Sequence, residues 1–119
     1  MASDVIVLTR EMPNTVAVLD GLGAAGEELR VNLPGRAGVI QLCDDVGRVL
    51  LSVDAPVRIE AVEEAERLLG ERAAELPPPL WRVRVRASGR DDADELARRF
   101  ARALVRQLGG LVVEDGVRT

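Results

Sequence analysis

The segment Val16 to Gly26 reads VAVLDGLGAAG and places Gly21, Gly23 and Gly26 at the spacing GxGxxG. Between a strand and a helix, such glycines let backbone N–H groups meet a pyrophosphate at the helix N-terminus. Asp44 and Asp45 even fall near the distance expected of a ribose-binding acid. Two features oppose that chemistry. Pro13 suits the first turn of a helix running into the glycines, not a strand. The segment after Gly26 alternates with period two and meets Pro34, which leaves little room for the required second helix. The expectation is a helix weakened and ended by its glycines, with no bound cofactor.

The lone cysteine, Cys43, precedes Asp44 and Asp45. Neighbouring carboxylates disfavour a thiolate, and a chain without histidine can form no Cys–His pair. Zinc centres use several Cys or His ligands, so no metal site is expected either. The run Asp91-Asp92-Ala93-Asp94-Glu95 lacks the glycine and spacing of a calcium loop and reads as a helix cap. Glu60, Glu64, Glu71 and Glu75 read as the wet face of a helix, and nothing marks any two acids as a catalytic pair.

The arginines carry the strongest pattern. All 16 basic residues are arginine. Arg82, Arg84 and Arg86 share one strand face by alternation, and Arg98, Arg102 and Arg106 share one helix face at i, i+4, i+8. Guanidinium forks suit carboxylates and phosphates. A single-stranded nucleic acid would also need aromatic platforms, and Trp81 and Phe100 both fall on expected core faces. The candidate partner-binding residues are therefore Arg82, Arg84, Arg86, Arg98, Arg102 and Arg106, with Glu60 and Glu64 as the acidic counterpart. The plainer reading pairs these arginines with the acidic helix or leaves them solvated.

Composition narrows the classes further. At 119 residues, 47% hydrophobic and 30% charged, the chain has the makings of one folded domain. Residues 1–79 hold 7 Arg against 14 acids, and residues 80–119 hold 9 against 6. The net charge of −4 repels phosphate backbones, so nucleic acid is not the expected partner. No apolar run is long enough to span a bilayer, the first residues lack the look of a signal peptide, and one cysteine suits the cytoplasm.

The elements that must position these residues follow from periodicity. Asp4–Thr9 reads as a buried strand, and a helix follows Pro13 with Val16, Leu19 and Leu22 as its stripe. Leu29, Val31 and Leu33 alternate as a strand stopped at Pro34-Gly35. Two more strands, GVIQLCD and GRVLLSVDAP, flank a turn at Asp44, Asp45 and Gly47. A helix over Arg58–Glu75 is expected next, striped by Val62, Ala65, Leu68, Leu69 and Leu76, and stopped by three prolines. LWRVRVRAS is then a strand, and a long helix striped by Leu96, Phe100, Leu104 and Leu108 runs to Gly109-Gly110. LVVED closes the chain as a strand, with a fraying tail after Gly116. The order β-α-β-β-β-α-β-α-β gives a single α+β domain over residues 1–119, with a mixed or mostly antiparallel sheet and helices packed on it.

Trp81 to Asp115, with Gly109-Gly110-Leu111-Val112-Val113 as its specific element, resembles the closing strand–helix–strand of small α+β immunity-type proteins of bacterial toxin systems. That resemblance implies a non-catalytic binder that blocks a protein partner by charge and shape, and it brings no catalytic residues. It does not extend to the first 80 residues. The expectation is protein–protein contact without catalysis, a homo-oligomer remaining open. The alternatives are a regulatory module sensing an anionic small molecule and an enzyme subunit using carboxylates.

Overall fold

A computed structural model describes residues 3–25, 30–32, 39–88 and 91–114. Its strands are β1 (Ser3–Thr9), β2 (Arg30–Asn32), β3 (Ile40–Cys43), β4 (Val49–Val53), β5 (Val57–Ile59), β6 (Leu80–Ala87) and β7 (Gly110–Glu114). Its α-helices are α1 (Thr15–Ala25), α2 (Val62–Leu69) and α3 (Asp91–Leu108), and a 3₁₀ helix spans Gly70–Glu75. Six strands run in the order β2-β3-β4-β6-β1-β7, and β5 pairs with β6 beside β4. Every pairing is antiparallel. This is the expected α+β architecture and element order, with β5 as one added strand. Gly26, Leu29, Leu33, Pro34, Gly35 and the tail after Gly116 lie outside the described residues.

Helices cover both faces of the sheet. On the first face, α1 and α3 pack over Val5, Val7, Ile40, Leu42, Leu51, Val53, Val83, Val85 and Ala87. On the second, α2 and the 3₁₀ helix cover Leu8, Ile59 and Leu80 through Ala65, Leu69 and Leu76. Strand β6 shows the alternation expected of it, with Val83 and Val85 buried and Arg84 and Arg86 exposed.

The stretch expected as one helix over Arg58–Glu75 is divided. Leu51–Val53 pair with Val85–Ala87, whereas Val57–Ile59 pair with Leu80–Arg82. Asp54 N–H donates to the Arg84 carbonyl at 2.9 Å, so Ala55 and Pro56 together oppose Val83. That extra residue is a bulge, and it falls where Pro56 has no N–H to give a ladder. Beyond it, β-branched Val57 and Ile59 regain the sheet. The α-helix then begins at Val62 and ends at Gly70, whose φ of +59° suits glycine. Val62 is exposed rather than part of the core stripe.

Helix α1 differs from expectation as well. Asn14 caps it, its Oδ1 accepting from Ala17 N–H at 2.9 Å, so Pro13 stands one residue before the cap. The helix runs through Gly21 and Gly23 instead of ending there. Their amides therefore lie inside a helix rather than at the strand-to-helix turn a dinucleotide requires. The buried residues are Ala17, Val18, Gly21 and Leu22, whereas Val16 is 65% exposed and Leu19 38%. The small residues face inward because α3 approaches closely. A Cβ built on Gly21 would sit 3.0 Å from the ring of Phe100, which is fully buried.

A second glycine constraint closes α3. Gly109 N–H bonds the Val105 carbonyl at 2.7 Å, with φ of +74°, the left-handed cap that favours glycine. A Cβ on Gly110 would lie 1.8 Å from the Leu8 carbonyl oxygen, so β7 can enter the sheet beside β1 only with glycine there.

Two predictions follow from these local constraints. Gly21→Val should destabilise the fold by about 1–3 kcal/mol, the usual cost of overpacking a filled core. Gly23→Ala, with nothing within 4 Å of its Cβ, should stabilise it by about 0.5–1 kcal/mol through helix entropy. Urea melts that rank the two the other way would show that α1 faces α3 differently.

The second concerns the β3–β4 turn, placed where expected. Asp44 Oδ1 accepts from Val46 N–H at 3.1 Å and Arg48 N–H at 2.9 Å, and Oδ2 accepts from Arg48 Nε at 3.0 Å. Desolvation pushes the Asp44 carboxyl up, but those backbone and guanidinium donors outweigh it and hold it below the ordinary value. A lowered folded-state pKa gives stability that is complete above the unfolded value, about 3.9, and lost as pH falls through the folded value. Asp44→Asn should therefore lower the melting temperature at pH 7, with the difference closing as pH falls below the ordinary carboxylate range. Thermal melts across pH check the sign; a gap that widens on acidification would be contrary.

Candidate arginine face on the sheet

Alternation sends Leu80, Arg82, Arg84 and Arg86 of β6 to the second sheet face. Strand register then sets their neighbours. One row crosses the sheet as Gln41, Ser52, Arg86 and Asp4, and the next joins Arg84 to Ile6. A third joins Arg82 to Leu8. The face is thus graded along the strands. It is apolar at Leu80, Ile59 and Leu8, where α2 and the 3₁₀ helix sit, and polar at Arg84, Arg86, Asp4, Ser52 and Gln41.

The arginines of this face meet two aspartates. Arg84 donates to Asp4 Oδ2 through Nε, at 3.0 Å, and through Nη2. Arg86 Nη2 donates to Asp54 Oδ1 at 2.6 Å. Each pair is diagonal: Arg86 stands opposite Asp4 on the ladder, yet Arg84 takes that carboxylate. The carboxylates are the sheltered partners, at 18% and 26% side-chain exposure, while both arginines stay about half exposed at 51% and 48%. The guanidinium planes are thereby oriented by these carboxylates. Gln41 Nε2 donates to Ser52 Oγ at 3.3 Å in the neighbouring row. Beside Arg86, a shallow recess of about 310 Å³ is lined by Gln41, Ser52, Arg86 and Ser88, among others.

The remaining candidates are scattered. Arg98, Arg102 and Arg106 are exposed on α3, across the sheet from the β6 arginines, so the two arginine sets do not converge. Arg106 borders an open groove between α1 and α3, opposite Asp20. Glu60 precedes α2 and lies 3.6 Å from Arg58, whose guanidinium also covers Trp81 at 5.7 Å. Glu64 is half-buried on α2. Arg84 and Arg86 thus bond Asp4 and Asp54. Asp4 and Asp54 were not singled out by sequence, because their closeness depends on β6 lying between β1 and β4.

Cys43 is buried at the end of β3, with a free thiol. Among the described residues, no group of three or more Cys, Asp or Glu is placed to hold a metal ion, and no helix is long and apolar enough to cross a membrane. The chain matches no protein-family model, curated protein or solved structure.

Half-exposed ion pairs are worth little singly, about 0.2–1 kcal/mol. A double-mutant cycle on Arg84→Ala and Asp4→Ala should give a coupling in that range that shrinks in molar salt. A coupling above about 2 kcal/mol would mean the pair is part of the core rather than of an open surface.

Proposed function

We propose that the protein is a non-catalytic binder of a protein partner, acting in the cytoplasm through the polar half of the second sheet face. The reading includes the immunity-type or accessory binder that the closing strand–helix–strand resembles. One observation carries it: two arginines are held in fixed orientation by sheltered aspartates on a face that α2 leaves uncovered among the described residues. Ordering a long side chain on binding costs about 0.5–1.5 kcal/mol, and arginines already ordered avoid much of that cost. The four charges of Asp4, Asp54, Arg84 and Arg86 sum to zero, so directional bonds rather than net charge set what this group of residues prefers. An extended partner offering carboxylates and carbonyls at matching spacing gains directional hydrogen bonds instead.

A second reading rests on the recess beside Arg86. Its lining sets Gln41, Ser52 and Ser88 beside Val39, Val49 and Leu50, which suits a small metabolite with an anionic group near Arg86, and the protein would then be a sensing or regulatory module.

Capture from native lysate at low salt tests the first reading. Arg84→Glu with Arg86→Glu should remove a specific protein band, and reversal at Arg98, Arg102 and Arg106 or at Glu60 and Glu64 should leave it. Charge-dependent capture should also weaken as salt rises. If the β6 reversal leaves the band intact while a small anionic metabolite raises the melting temperature, the sensing reading replaces this one.

A further inference from the structure

We propose that the chain forms a twofold homodimer in which the open edges of two β7 strands pair antiparallel about Val112, joining two sheets into one.

The hydrogen-bond phase of the ladder fixes which groups that edge presents. Arg10 N–H donates to the Gly109 carbonyl at 3.0 Å, in line with the register that pairs Leu8 with Leu111. Antiparallel ladders alternate bonded and non-bonded pairs. Leu111 and Val113 therefore turn their amides and carbonyls toward β1, while Gly110, Val112 and Glu114 turn theirs away. Asp54 N–H to Arg84 O and Ser88 N–H to Leu50 O give the same phase when carried across β6 and β1. Among the described residues, β7 pairs with β1 alone.

This edge is self-complementary. Among the described residues its outward positions, 110, 112 and 114, are symmetric about Val112, so a twofold axis there matches donors to acceptors over roughly six N–H···O=C bonds. The register sets Val112 against Val112 of the second copy, Leu111 against Val113, and Glu114 against Gly110, so no acid opposes an acid.

Burial points to the same occupant. Leu111, Val112 and Val113 are each only half-buried. Val112 packs on the cluster beneath α1 and α3, and Leu111 and Val113 pack on the cluster beneath α2. A twofold axis perpendicular to the sheet keeps corresponding faces on the same side. Both clusters would continue across the new pairing.

The edge at β5 does not offer this: that strand has three residues, the short length by which proteins blunt an edge. Strand β7 has five, reads Gly-Leu-Val-Val-Glu, and contains neither proline nor lysine.

Sedimentation equilibrium over micromolar to near-millimolar protein tests the pairing. The wild-type chain should approach twice its mass of 12.8 kDa. Val112→Pro removes an outward amide that β1 does not use, a position where edge strands tolerate proline. It should weaken dimerisation at least tenfold. Val112→Cys is the second arm and does not depend on the proline variant folding. Bonded antiparallel partners stand about 5.5 Å apart at Cα, within reach of a disulfide. Mild oxidation should give a covalent dimer of V112C, and none of the wild type, whose one cysteine is buried. A wild-type monomer at every concentration overturns the proposal. So does a dimer that V112C fails to cross-link.

Discussion

The register of β6 against its neighbours is the constraint on which the other features depend. The strand pairs with β1 along one edge and with β4 and β5 along the other. Its alternation divides Val83, Val85 and Ala87 from Arg82, Arg84 and Arg86. A slip of one residue would turn three guanidinium groups onto the helices α1 and α3. Unpaired buried charges cost several kcal/mol each, so that register is closed to the fold. The bulge at Ala55-Pro56 serves the same end. It lets one chain segment follow both halves of β6 although Pro56 cannot donate to the ladder.

Burying one face of β6 sends its arginines to the other, and the fold neutralises them locally. Asp4 stands on β1, and Asp54 directly follows β4, the two strands that flank β6. Aspartate is short, so fixing its carboxylate on a strand costs less rotamer entropy than fixing a helical glutamate. That difference favours the partners that Arg84 and Arg86 take, whereas Arg72 and Arg99 meet Glu75 and Glu95 along their own helices.

Much of this was legible in the sequence, wherever one period dominated. WRVRVRA alternates from Trp81 to Ala87, and the stripe Leu96, Phe100, Leu104 is helical, so β6 and α3 lie where expected. The Asp44–Gly47 turn was readable from its residue types. Helix α1 was only partly readable, because it is apolar on several sides. Nothing local says that Gly21, rather than Val16 or Leu19, faces the core; Phe100 of α3 decides it. Strand β5 was hidden because Val57-Arg58-Ile59 is three residues long and runs toward a helical pattern. At the arginine face, the strand arginines were visible and their aspartates were not. A diagonal pair across strands far apart in sequence exists only once the strand order is known.

The glycines show how one residue type serves opposite demands. Gly21 removes a side chain so that two helices can approach above the first sheet face. Gly109 supplies a left-handed turn, and Gly110 removes a Cβ so that β7 can lie against the Leu8 carbonyl. Of the GxGxxG glycines, Gly21 is thus accounted for by helix packing, and the Gly-Gly pair is what admits a last strand to the sheet. Without Gly110, β7 could not reach β1, and Leu111 and Val113 would lose their place over the α2 cluster. The same close approach that completes one edge of the monomer creates the next, since a strand bonded on one side presents unpaired amides on the other.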